Sequence, residues 1–174
     1  MPTRLYDLSL PECEDLLRAS VAARVAFVAP DGPHIVPVNY AVLERSMLVA
    51  TSPASQLGRF GPRTPLALEI DGFDYDREQG WSVVVRGLSE VVDEELLAEA
   101  FGAPCKPRPW ALGRRDLYLR IPWEEVSGRR IGAGWSVVGA WAQSRPWFGF
   151  EGLIPLGLAD RLGQMLPSPR RRPW

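Results

Sequence analysis

The sequence predicts a mainly β fold, a small and largely antiparallel barrel with a few short helices. Three observations carry that expectation. Short runs rich in β-branched and aromatic residues recur through the first 131 positions, and such runs suit a pleated, half-buried surface. Turn residues join neighbouring runs into hairpins, most clearly at Pro30-Asp31-Gly32, where proline presets φ and glycine accepts a positive φ. Only two or three stretches have helical spacing, and all are short. The organising stretch is Gly80 to Val92, GWSVVVRGLSEVV. Within it Trp81, Val83, Val85 and Gly87 share one face, and Ser82, Val84, Arg86 and Leu88 the other. A glycine at position 87 of such a strand marks a bend or a close approach by a ligand or another backbone.

In chain order, Ser9-Leu10-Pro11-Glu12 reads as a helix start with the spacing of a capping box. Cys13, Leu16, Leu17 and Val21 form the apolar stripe of a helix ending near Ala22. Arg24–Ala29 and His34–Leu43 read as a hairpin, with Pro37 marking an edge, a bulge or an irregular stretch. Met47–Thr51 is a third strand. Ser52 to Phe60 reads as a chain leaving the sheet for a short helix, and small hydroxyl residues with free amides at a helix start suit an anion. Leu66–Ile70 is a fourth strand, Asp71–Gln79 a surface loop, and Gly80–Val92 the long strand. Asp93–Phe101 reads as an acidic helix and Gly102–Gly113 as a proline-containing loop. Asp116–Ile121 is the sixth strand and Val126–Ile131 a short extended finish. Residues 132–174 form a separate C-terminal extension rich in proline and in tryptophan (Trp135, Trp141, Trp147, Trp174). One amphipathic helix is expected among Leu153, Leu156, Leu158, Leu162, Met165 and Leu166. Six strands in so short a chain leave an apolar face that a homodimer would cover.

Composition narrows the function classes. The chain has 174 residues, 46% hydrophobic and 24% charged, with a net charge of −1, which suits a soluble domain and provides no general attraction to nucleic acid or an anionic membrane. The Arg170–Arg172 run reads as a solvated terminus. No apolar run is long enough to span a bilayer and the N-terminus has no signal-peptide core, so the cytoplasm is the expected location. Cys13 and Cys105 lie far apart and read as reduced thiols. With one histidine, His34, and no cysteine ligand spacing, neither a metal site nor a Ser/His/Asp arrangement stands out.

The run RVAFV, DGPHIVPVNYAV, a strand ending Thr51-Ser52, LALEIDGFD, GWSVVVRG and LYLRIPWEEVSGRR resembles the pyridoxamine 5′-phosphate oxidase-like proteins of the flavin-binding split-barrel superfamily. The resemblance spans roughly Leu8 to Ile131. It implies a six-stranded split β-barrel and a homodimer with flavin sites at the subunit interface. It also implies an FMN cofactor, with a deazaflavin as the variant and haem at His34 disfavoured. Carried over by position, the cofactor residues are Val38 and Asn39 on the PVNY strand, Thr51, Ser52 and Gln56 at the helix start, and Trp81 and Ser82 on the GWSV strand. Arg129 or Arg130 of SGRR would reach across the dimer. Many relatives carry lysine or arginine where Gln56 stands, which leaves Arg59 or Arg24 to meet a phosphate. On bare residue chemistry, Trp81 also reads as core, Asn39 as a satisfied buried amide and the two arginines as a solvated pair.

The function implied is a flavin-dependent oxidoreductase moving hydride between the flavin and a small organic substrate. The alternative is a non-catalytic flavin-binding or degenerate split-barrel interaction protein. A redox-responsive regulator is a third reading, without a helix-turn-helix ahead of the barrel to support it.

Overall fold

The structure, a computed structural model, describes residues 4–95, 97, 107, 110 and 113–132. Its elements are β1 (Leu5–Asp7), α1 (Leu10–Ala19), β2 (Ala22–Ala29), β3 (Gly32–Leu43), β4 (Ser46–Thr51), α2 (Gln56–Phe60), β5 (Pro65–Asp74), β6 (Gln79–Leu88), β7 (Glu90–Val92), β8 (Leu117–Pro122) and β9 (Glu125–Ile131). The mainly β, antiparallel class is as expected. Among the described residues the strands number nine rather than six, in the order β1-β9-β6-β5-β2-β3-β4-β8-β7.

The extra strands have specific causes. The long strand is divided at Ser89, whose N–H donates to the Thr64 carbonyl at 3.0 Å and whose hydroxyl donates to the Gly61 carbonyl. Ahead of that break β6 pairs with β5 and β9; after it β7 pairs with β8. The expected Asp71–Gln79 loop is shorter, because β5 runs on to Asp74 and pairs with Gln79. Val126–Ile131 is no loose finish but part of β9, laddered to β6 and, through Leu5–Asp7, to β1. The acidic helix is described only at its start, where the Leu97 N–H donates to the Asp93 carbonyl at 3.1 Å. The rest of that helix, most of the Gly102–Gly113 loop including Cys105, and the extension with its amphipathic helix lie outside the described residues.

β3 belongs to two ladders. From Gly32 to Asn39 it pairs with β2; from Tyr40 to Leu43 it pairs with β4. Pro37 therefore sits where β3 has β2 on one side and, among the described residues, no strand on the other, a place where a missing N–H is harmless. At the switch, the Tyr40 N–H donates to the Val21 carbonyl at 3.2 Å and the buried phenol donates to the Leu17 carbonyl at 2.7 Å. Burial pushes the Tyr40 phenol well above its ordinary pKa, so it stays a neutral donor.

Inward-facing Val25, Phe27, Tyr40, Met47, Val49, Leu68, Ile70, Val83, Val85, Leu119 and Ile121 form one core, completed by Cys13, Leu16 and Leu17 of α1. Burial pushes the Cys13 thiol up to about 11, so it is an inert packing group rather than a nucleophile. β4 is buried on both faces, because Leu48 and Ala50 meet Leu43, Tyr118 and Leu97 behind the sheet. The curl that encloses the core brings β6 against the end of β8. A Cβ on Gly87 would collide with the Pro122 carbonyl oxygen, so the close approach expected at this glycine is one of backbone to backbone.

Two outcomes follow for stability. Gly87→Ala forces β6 and β8 apart and is expected to cost about 1–3 kcal/mol, as overpacking does, measured by urea unfolding; an unchanged midpoint contradicts the contact. At the start of α1 the Glu12 carboxylate accepts from the Ser9 N–H at 2.8 Å and the Ser9 hydroxyl at 2.7 Å. Those bonds hold its pKa below the ordinary carboxylate value. A depressed folded pKa gives stability that is complete above the unfolded value, roughly 4.3, and fades as pH falls through the folded one. The stability gap between the protein and Glu12→Gln should therefore be widest near neutrality and narrow on acidification, as followed by denaturant midpoints at several pH values.

Candidate functional site

The β3–β4 ladder stops at Tyr40↔Val49. Beyond it the two strands part, with Val38 and Asn39 on one lip and Thr51 and Ser52 on the other. Val38 would oppose Thr51 if the ladder continued, so the split opens between those two residues.

The β4 lip ends in a tight turn. The Ser55 N–H and hydroxyl both donate to the Ser52 carbonyl, at 3.0 and 2.7 Å. The Ser55 oxygen caps α2 by accepting from the Gly58 N–H at 2.9 Å and lies 2.9 Å from the Thr51 hydroxyl. Gly58 is required because a Cβ there would strike the Ser52 carbonyl. Thr51 is thus buried and engaged in building the turn, while Gln56 and Arg59 are exposed on α2. The first amides of a helix have no intrahelical acceptor, so those of Gln56 and Leu57, with the Ser52 hydroxyl, are the polar groups this lip presents. Arg59 has no ion-pair partner among the described residues. Arg24 is committed elsewhere: its guanidinium lies 2.7 Å from Asp71 and 3.8 Å from Glu69, which raises its pKa. Of the two arginines weighed against the neutral Gln56, Arg24 is therefore the paired one and Arg59 the exposed one.

Across the sheet, the remaining site residues divide by face. Trp81 is 3% exposed and lies in the core, so the core reading holds for its side chain. Val38 packs inward as well. Ser82 pairs with Asp71 on β5 and Arg129 on β9, and continuing the Arg24↔Glu69 register by two residues sets Ala22, the partner of Asn39, level with Asp71. Arg129, Ser82 and Asn39 therefore lie in one row on the outer face. Ser82 and Asn39 stand three strand spacings apart, roughly 14 Å. Arg129 is exposed, 3.8 Å from Asp7, and the Arg130 guanidinium lies over the Tyr6 ring at 4.6 Å.

The Asn39 amide is satisfied at both ends, with Nδ2 donating to the Val21 carbonyl at 3.3 Å and Oδ1 accepting from the Trp110 N–H at 2.9 Å. Trp110 was not among the residues the sequence singled out; its one signal was a tryptophan inside a proline-containing loop. The same outer face carries a half-open cavity of about 220 Å³ lined by Arg24, Ala26, Ile35, Ala67, Glu69 and Val84. His34 stacks on Phe27 and its Nε2 lies 2.8 Å from Asp31, which engages the nitrogen that a haem iron would need. No helix among the described residues is long and apolar enough to cross a membrane.

Comparison with known proteins agrees with this architecture. An uncharacterized protein of Mycobacterium tuberculosis, Rv0080, is 33% identical over 133 residues, covering 73% of this chain and 86% of the other. The FAD binding protein of Mycobacterium smegmatis is 32% identical with a TM-score of 0.62, over 74% of this chain and all of that one. The FAD and heme binding protein of the same organism, at 16% identity, TM-score 0.53 and coverage of 87% and 94%, shares the fold. The model of the pyridoxamine 5′-phosphate oxidase family matches residues 9–130, most of the chain and every strand from β2 to β8. With the split between β3 and β4 at its centre, the chain belongs to the pyridoxamine 5′-phosphate oxidase family.

Proposed function

We propose that the chain binds a flavin in the β3–β4 split and acts as an oxidoreductase on a small organic substrate. The observation that carries the reading is the split itself, with an apolar lip at Val38 facing a lip of hydroxyl and amide donors. The residues fit the group. The Ser52 hydroxyl and the Gln56 and Leu57 amides suit a ribityl chain and a phosphate, and Arg59 supplies the charge that Gln56 lacks. Val38 contributes to an apolar wall for the ring, and Asn39, held at both ends, fixes the backbone there. When bound, the flavin supplies the hydride chemistry at its N5; the protein orients it and excludes water. The flavin is FMN by the family resemblance. The FAD bound by the Mycobacterium smegmatis relative supports FAD as the second form, with deazaflavin the third.

One copy leaves the site divided, since Ser82 and Arg129 lie several strands from the split. The proposal includes a homodimer in which a second copy brings that row to the cleft. Exposed apolar residues on the outer face support it: Val28 is 73% and Ile35 69% exposed, and a second copy would cover them. Non-catalytic flavin binding is the alternative, favoured by the commitment of Arg24 to Asp71 and Glu69, which withdraws one of the two cations considered for a phosphate dianion.

The test is an absorption spectrum of purified protein before and after loading with FMN, FAD or a deazaflavin and desalting. Light scattering supplies the mass. Retained near-ultraviolet and blue absorption on a dimer, bleached by a reductant and restored by a small electrophile, supports the oxidoreductase. Bound flavin that no donor and acceptor pair turns over favours the non-catalytic form, and a colourless protein after all three loadings contradicts flavin binding. Arg59→Ala is expected to weaken flavin about tenfold, the size of one charge-assisted contact, measured by titration of flavin fluorescence; unchanged affinity contradicts the role assigned to Arg59.

A further inference from the structure

Trp110 is the outlier among the described tryptophans. Trp81 and Trp123 are buried, yet Trp110 is 70% exposed. Its backbone is nonetheless tied down. The 2.9 Å hydrogen bond from its N–H to Asn39 Oδ1 spans 71 positions of sequence, and Asn39 is itself anchored to the Val21 carbonyl. That arrangement fixes the main chain at the β3 lip of the split while leaving a large planar side chain in water. Indole is among the side chains that gain most from being covered, and a free surface position has no need of a tertiary anchor. Asn39 faces outward, on the same face as Arg24 and Ile35, so the Trp110 main chain is fastened on the outer face, one residue before the β3–β4 ladder begins at Tyr40.

We infer that Trp110 is a stacking residue of this cleft, its indole covering the conjugated ring of the bound flavin, and that Asn39 is a positioning residue acting through the Trp110 amide. The inference rests on the flavin-binding reading above. Stacking needs no charge and no hydrogen bond from the ring, so it adds hold on the conjugated end that the Ser52–Arg59 lip cannot reach. Electron-rich indole against a flavin also quenches flavin emission, which supplies a readout separate from activity.

The experiment loads the full chain, Trp110→Leu, Trp110→Phe, Asn39→Ala and the Trp110→Leu/Asn39→Ala pair with the flavin the protein retains. Affinity and the emission of the bound flavin are measured for each. Because the indole is exposed, the Trp110 variants should keep the unfolding midpoint of the parent. The expected result is quenched emission in the parent, emission several-fold brighter and affinity about tenfold weaker in Trp110→Leu, and an intermediate Trp110→Phe. The effect of Asn39→Ala should largely vanish in the Trp110→Leu background, as for two residues acting through one contact. If the parent binds flavin and Trp110→Leu matches it in affinity and emission, the stacking role is overturned while flavin binding stands. If the parent binds no flavin, both fall together. If Asn39→Ala and Trp110→Leu are fully additive, Asn39 does not act through Trp110.

Discussion

A β-strand has two hydrogen-bonding edges, and the rest of this structure depends on how β3 uses them. Its first eight residues spend one edge on β2 and, among the described residues, pair with no strand on the other; its last four turn to β4. Buried backbone groups must find partners, so the change of ladder has to be secured where it happens. Tyr40 secures it. Its amide closes onto Val21, its phenol onto Leu17 at the end of α1, and its ring fills the core. Strand, helix and core are thus joined at one residue, and the split beyond it is held open by construction. A second transfer occurs at Gly87 to Ser89, where the chain leaves β6 and joins β8 as β7. The absent side chain at Gly87 lets the backbones of β6 and β8 meet, and the Ser89 hydrogen bonds fasten the crossing to the turn after α2.

The cleft's chemistry follows from which polar groups the fold has already consumed. Ser55 and Thr51 satisfy each other and the helix cap, so their hydroxyls shape the turn more than they face a ligand. Arg24 is absorbed by two carboxylates on β5. Among the described residues flanking the split, the Ser52 hydroxyl, which accepts only from the Ala54 N–H at 3.3 Å, two helix-start amides and Arg59 lie on one side, and Asn39, satisfied at both ends, holds the Trp110 main chain on the other. A ligand with one anionic end and one flat, apolar end matches that set.

Much of the fold could be read from residue pattern, because alternation and turn chemistry are local. Val83 and Val85 against Ser82 and Arg86, the Pro30-Asp31 hairpin and the Ser9–Glu12 helix start all behave as their neighbours dictate. The strand count was not legible. The division at Ser89 depends on acceptors at Gly61 and Thr64, and β9 is a strand only because β6 and β1 flank it, both long-range facts. The same holds for the site. Of the positions carried over by resemblance, Val38, Asn39, Thr51 and Ser52 flank the end of the β3–β4 ladder, while Trp81, Ser82 and Arg129 lie strands away; their division between inner and outer faces, the pairing of Arg24 with Asp71 and the anchoring of Trp110 on Asn39 are tertiary. No periodicity marks an exposed tryptophan inside a proline-containing loop.

The most direct test of the central claim, that the β3–β4 split is the ligand cleft and is completed by a second copy, is amide hydrogen exchange with and without saturating flavin. The account predicts slowed exchange at two separate places in one chain, around residues 35–39 with 52–58 and around residues 80–84 with 127–131. Protection confined to the first place would contradict completion by a second copy, and protection at neither would contradict the cleft itself.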